Sequence, residues 1–161
     1  MLTSRPMLRW TALLSLGVAL GCGGPPEGSA LGQRAPVVSL PVAGGGPPVE
    51  VGGDGPALLV FWASWCGPCR AEAPAVAAFA AAHAGRLRVQ HVNLGEPAPL
   101  AARAAAELGI HPPVLLDAEG AALRAYGVDA LPLHVLIDGD GVVRHRGPAL
   151  PADSLLAGVS G

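Results

Sequence analysis

Cys66 and Cys69 stand three positions apart with Gly67 and Pro68 between them, inside the stretch FWASWCGPCRAEAP that runs from Phe61 to Pro74. A pair so spaced can bind a metal, close a structural disulfide or exchange electrons as a dithiol. Exchange needs one thiolate to attack a foreign disulfide and a second thiol to resolve the mixed disulfide that results. A zinc site needs four ligands, usually a second Cys or His pair. The third cysteine, Cys22, lies far upstream, and the five histidines show no ligand spacing. A structural disulfide gains more stability when it joins residues distant in sequence. The redox dithiol therefore leads, with the other two as alternatives.

The surrounding elements favour the same reading. Ala57 to Trp62, ALLVFW, is a continuous apolar run after Gly55-Pro56, the pattern of a strand buried on both faces. An Ala-rich helix is predicted from about Gly67 to Ala84, closed by Gly85. Cys66 then lies at the start of a helix, where unsatisfied backbone N–H groups and the helix dipole favour a thiolate. Cys69 falls in the first turn, within reach of a mixed disulfide on Cys66. Pro68 suits that turn, where its missing N–H costs little.

Further along, Leu87–Leu94 reads as a strand, Pro99–Leu108 as a helix ended by Gly109, and Val114–Leu116 as a short buried strand. A short helix is predicted over Ala121–Ala125. Leu133–Ile137 and Val142–His145 flank Asp138-Gly139-Asp140-Gly141 and read as a hairpin, and Leu155–Val159 as a closing helix. Ahead of all these, Val37–Leu40 and Val49–Val51 are candidate strands around a Gly-rich loop. Helices alternating with strands imply an α/β fold, a mixed sheet covered on both faces.

The N-terminus reads as an address. Arg5 and Arg9 precede an apolar run from Trp10 to Leu20, short of the roughly 20 residues that span a bilayer and suited to a secretory signal over residues 1–21. Ala19-Leu20-Gly21-Cys22 resembles a bacterial lipoprotein processing site, with Cys22 as the lipidated residue. It departs from that pattern because Leu stands two places before the cysteine instead of three. Residues 22–32, rich in Gly, Pro and Ser, read as a flexible tether, and 33–161 as one domain.

The chain has 161 residues, 51% of them hydrophobic and only 4% aromatic, so aliphatic side chains must fill the core. All ten basic residues are Arg, against twelve acids, and no basic stripe occurs, which argues against a nucleic-acid partner. The alanine repetition in AVAAFAAAHAG is helix-favouring composition, not a structural repeat.

Phe61 to Arg70, FWASWCGPCR, resembles the active site of thioredoxin-fold proteins, and Glu72 with Pro74 narrows the likeness to the TlpA/ResA-like branch that includes CcmG-type reductases. Further landmarks are Gly32-Gln33-Arg34-Ala35-Pro36, Pro113–Asp117, Tyr126-Gly127-Val128, Leu131-Pro132 and Leu136–Gly141. The resemblance implies a thioredoxin-like fold, a mixed central sheet flanked by helices with an N-terminal β-hairpin extension. It implies that Pro132 is a cis-proline facing the dithiol, an isomer that only X-Pro bonds adopt readily. Glu72 matches a family acid near the site, three residues after Cys69 on the same helical face, where it could relay protons to the buried thiol. Pro74 would kink the helix.

Two departures stand out. Val60 occupies the position of the buried aspartate of thioredoxins, and Leu131 precedes Pro132 where many relatives carry Thr. Glu96 aligns with a family loop near the site but is equally readable as a solvated loop acid. His134 reads as a strand residue, not a catalytic base, and Trp62 and Trp65 as packing and shielding around the dithiol. His83, His91, His111 and His145 receive no role.

The resulting expectation is an extracytoplasmic, lipid-anchored, monomeric thiol-disulfide oxidoreductase with Cys66 as nucleophile and Cys69 as resolving thiol. It needs no cofactor or metal. Its expected partners are envelope proteins with disulfides, apocytochrome c or metal-centre assembly proteins among them, and a membrane electron donor of the CcdA/DsbD kind. A copper-handling chaperone and a dithiol oxidase are the competing classes.

Overall fold

A computed structural model describes residues 26–53 and 55–159. The proposed signal and Cys22 lie outside the described residues. At the centre is β3 (Ala57–Trp62), every residue of which is buried. It pairs in parallel with β4 (Arg88–Leu94), which pairs in parallel with β5 (Val114–Asp117). On its other side β3 pairs antiparallel with β6 (Leu133–Ile137), and β6 with β7 (Val143–Gly147). The sheet order is β5-β4-β3-β6-β7, the mixed sheet expected from the alternation of elements.

Side chains alternate across β3. Leu59 and Phe61 point into one core with Val92, Leu115, Val135 and Tyr126. Leu58 and Val60 point into another with Leu136, Val76 and Leu87. The second face is covered by α1 (Gly67–Ala82), which supplies Val76, and by the single-turn α4 (Asp153–Leu156), which supplies Leu156. Next to it, α2 (Ala98–Leu108) presents Ala101, Ala104 and Ala105 to Trp62, Val114 and Leu116. Small alanines let this helix lie close to the sheet, which is how a chain with few aromatics fills its interior. The first face carries α3 (Ala121–Ala125).

The expected N-terminal hairpin forms, β1 (Val38–Leu40) against β2 (Val49–Val51), and it lies on that first face. The chain around it bonds to β5 at one edge of the sheet and to the first residue of β7 at the other. Pro41 O accepts from Leu116 N and Ala43 N donates to Val114 O on the β5 side. Gly32 N donates to Val143 O, and Val143 N to Gln33 O, at the start of β7. Backbone groups paired in this way cannot template pairing with another chain.

Gly52 locks this arrangement. Its φ is +82°, and an added Cβ would lie 2.1 Å from Pro36 O and 2.4 Å from Tyr126 Oη. Only glycine fits. Tyr126 Oη donates to Pro36 O at 2.6 Å, tying α3 to the hairpin, while burial raises the phenol's pKa.

Several element ends shift by a residue or two from the sequence reading, α1 closing at Ala82, and three further differences have a physical cause. Residues 26–32, read as tether, bond back onto the chain: Arg34 N donates to Pro26 O and Gly28 N to Arg34 O. β7 runs on to Gly147 because its pairing with β6 continues to His134. The last helix starts two residues earlier, with Asp153 in a first turn that favours an acid.

Candidate active site

The loop after β3 turns sharply, Cys66 N donating to Ala63 O at 3.1 Å, and delivers Cys66 to the N-cap of α1. Its sulfur accepts from Cys69 N at 3.2 Å and is disulfide-bonded to Cys69. The bridged pair is the oxidised form of the dithiol. In the reduced form the same backbone N–H and the helix terminus would stabilise a Cys66 thiolate. Both cysteines are buried and pack with Trp62 and Ala63. Leu131 packs against this cluster, and the Leu131–Pro132 bond that follows is cis. A second cis bond, Pro112–Pro113, had no counterpart in the sequence reading.

Trp62 is buried beside the dithiol as expected, whereas Trp65 is 72% exposed. Trp65 lies in the turn that begins at Ala63 and stands largely in solvent, beside Leu131 at a surface groove.

Glu72 lies one turn beyond Cys69 on α1, with Pro74 inside the same helix. Its carboxyl shares a cavity of about 10 Å³ with Cys69, Trp62, Val60 and His91. Burial pushes its pKa up to about 7. No other acid stands at this place, since β3 presents Val60. In register with Val60 are His91 on β4 and His134 on β6, so all three side chains point toward α1. His134 is fully buried with Nε2 3.2 Å from Glu72 Oε1. Burial lowers its pKa, the Gly147 and Pro148 backbone opposing this and His145 adding to it. Burial, with lesser repulsion from His111 and His134, lowers that of His91 to about 4. His134 is thus the strand residue the sequence implies, but it also meets Glu72, a contact that only the register across β3 discloses.

The Redoxin family pattern matches residues 30–151, three-quarters of the chain and all of this site. The chain belongs to the Redoxin family. This redoxin is 35% identical over 130 residues to the thiol:disulfide interchange protein DsbE of Xylella fastidiosa, covering 76% of this chain and 64% of that protein. It is 34% identical over 88 residues to the thiol-disulfide oxidoreductase ResA of Geobacillus thermodenitrificans, covering 54% and 51%. The chain spans about half the length of several curated relatives it matches. Among solved structures, a Chlorobium tepidum chain assigned as DsbE superposes with TM-score 0.66 at 32% identity, covering 80% of this chain and 92% of that one. A secreted Mycobacterium tuberculosis disulfide oxidoreductase gives 0.63 at 25%, covering 76% and 93%. The redoxin has the thioredoxin-like fold that the motif implied.

One residue of the redoxin corrects the sequence reading. Glu96 is not a solvated loop acid: only 6% of it is exposed. Its carboxylate accepts from Ser64 N at 2.8 Å, from Asn93 Nδ2 at 2.6 Å and from Ser64 Oγ. Burial pushes its pKa up, but the bonds from Asn93 and Ser64 outweigh this and hold it below the ordinary range. Glu96 therefore fastens the loop that leads into Cys66. Beside Trp65 the redoxin also has a groove of about 430 Å³, lined by Leu94, Leu123, Val128 and Leu131 with Glu119 and Asp129 at its rim.

Proposed function

We propose that this redoxin is a protein thiol-disulfide oxidoreductase that reduces disulfides of envelope proteins through Cys66 and Cys69. The observation that carries this reading is Cys66 at the N-cap of α1, accepting the Cys69 amide and bridged to Cys69, whose helix brings Glu72 to the same cavity. In the reduced protein the Cys66 thiolate attacks a substrate disulfide, one substrate sulfur leaves as thiolate, and a mixed disulfide forms. Cys69 then gives its proton to the Glu72 carboxylate and attacks Cys66 Sγ. The mixed disulfide breaks, its electron pair leaves on the second substrate sulfur, and the Cys66–Cys69 bond forms. Glu72 keeps the proton taken from Cys69, and the two substrate thiolates take theirs from solvent. Pro132, beside the pocket-lining Leu131, presents backbone for substrate to pair with, and the groove next to Trp65 receives the flanking polypeptide.

An envelope location fits the signal-like N-terminus, Cys22 as a lipid attachment point, and the secreted relative from Mycobacterium tuberculosis. No helix among the described residues is long and apolar enough to cross a membrane. In an oxidising compartment a reductant needs electrons from a membrane donor of the CcdA/DsbD kind. Apocytochrome c and metal-centre assembly proteins are the candidate substrates; the DsbE and ResA likenesses support thiol-disulfide exchange as the chemistry.

Insulin-disulfide reduction tests the chemistry. Cys66→Ser is expected to abolish turnover, and Cys69→Ser to trap mixed disulfides that identify partners in cells. Turnover retained in both variants would remove the mechanism. A reduction potential near about −270 mV marks a reductant, and one near about −120 mV an oxidase instead.

A further inference from the structure

Val60 leaves the floor under Glu72 without a carboxylate, yet the place is not apolar. Its in-register neighbours on both adjoining strands are histidines, His91 and His134. Two imidazoles on the face covered by α1 are costly to bury unless they have partners. The Gly147 and Pro148 backbone lies close enough to interact with the His134 ring, but neither ring nitrogen of His134 has an aligned hydrogen bond, and Nδ1 of His91 has none. The Glu72 carboxyl oxygen is 3.2 Å from His134 Nε2, so a small rotation of the carboxyl closes a bond between them.

We propose that His134 is a positioning residue for thiol exchange: its Nε2 accepts a hydrogen bond from the O–H of protonated Glu72, so that the proton taken from Cys69 is stored on a Glu72–His134 couple. This rests on the reading that Glu72 takes that proton. When Cys69 attacks the mixed disulfide, its S–H bond breaks and the proton passes to Glu72. The O–H forms on the oxygen that faces Cys69, and a half-turn of the carboxyl carries it to His134 Nε2 and brings the bare oxygen toward Cys69. When the site is reduced again the proton returns to Cys69, and no external acid or oxidant enters the couple.

The groups that face this couple are few. Cys69 comes from α1 and His91 from β4; His111, in the segment after α2, acts on His91, and His145 on β7 acts on His134. Burial keeps His91 and His134 neutral near pH 7, consistent with an acceptor nitrogen at His134 and with a Glu72 that gains and loses its proton near neutrality.

The test uses the reduced full chain with a small aryl disulfide whose two thiolates are released in sequence. The first release reports attack by Cys66 and the second reports resolution by Cys69. The resolution rate is expected to rise with pH through a midpoint near 7, and Glu72→Gln to slow it about tenfold and erase the midpoint. His134→Leu is expected to lower the midpoint by half a pH unit or more, because the acid form loses its acceptor. His134→Gln, whose carbonyl can accept, restores it toward the wild-type value. An unchanged or raised midpoint in His134→Leu overturns the proposal, since it leaves His134 only a share in burying the carboxyl.

Nitrogen NMR of His134 in the unmutated chain gives the same decision without a variant. An Nε2 signal that shifts with the Glu72 midpoint supports the couple, and one that stays flat from about pH 5 to about pH 8.5 overturns it. Wild-type resolution in Glu72→Gln would instead remove the underlying role of Glu72, which separates the two failures.

Discussion

The Glu96 carboxylate holds the Ser64 amide at 2.8 Å, two residues ahead of Cys66. The same carboxylate takes Asn93 Nδ2 from the end of β4, so one buried acid joins the strand that neighbours β3 to the loop that carries the nucleophile.

Glu96→Ala is therefore expected to cost about 3 kcal/mol, because it strands buried donors on Ser64 and Asn93. Urea unfolding reads this loss. Disulfide reduction should fall as well, the Cys66 loop having lost its fastening. Wild-type stability would show that the three donors find other partners.

Glu72 ties stability to pH with a definite sign. Its folded pKa of about 7 lies above the ordinary glutamate value of 4.5. The folded form thus binds its proton more tightly, a stabilisation complete below about pH 4.5 and lost as pH rises through about 7. Glu72→Gln, which mimics the protonated acid at every pH, should match the wild type near pH 4.5 and exceed it in Tm near pH 8. His91 acts oppositely. With a folded pKa of about 4 against 6.5, its contribution is present above about pH 6.5 and is lost as pH falls through about 4. His91→Leu should therefore gain on the wild type in acid. Thermal unfolding of the oxidised chain across that range checks both signs.

Gly52→Ala places a Cβ against Pro36 O and Tyr126 Oη at a backbone φ of +82°. A loss of at least about 2 kcal/mol is expected from strain and from the displaced Tyr126 hydrogen bond. Tyr126→Phe removes only that bond and should cost about 1 kcal/mol. Denaturant midpoints of the two variants separate the contributions.

Trp65→Ala tests the exposed indole. Stability should stay within about 0.5 kcal/mol, as for a surface change. Reduction of a protein disulfide should lose about tenfold in kcat/KM, with little change toward a small aryl disulfide that does not fill the groove. Equal losses for both substrates would show that Trp65 acts on the dithiol itself.

Local patterns made much of this readable. ALLVFW announced a strand buried on both faces, Asp138-Gly139 a hairpin, and Cys66 before Gly67-Pro68 the start of a helix. Each of those signals lies within a few residues. What stayed hidden depends on contacts between distant segments. Glu96 is drawn inward by Ser64, thirty-two positions earlier, and by an asparagine on the preceding strand. His134 reaches Glu72 only because β6 pairs with β3 in the register that sets it beside Val60. Trp65 faces outward because of a turn whose direction its neighbours do not encode. Residues 26–32 carry the composition of a linker, yet their backbone groups bond to Arg34 and Val143.

The docking of that first segment also fixes a direction. Val143 pairs with Ile137, and Ile137 with Ala57, at the end of β3 opposite Trp62. The chain therefore joins the domain about 17 Å, one strand length, from the level at which the Cys66 loop begins. If the protein is held at a surface by its N-terminus, that surface and the dithiol occupy opposite poles. Partners would then be met from the far side, and the membrane donor of electrons would have to reach around the domain or wait for it to turn over.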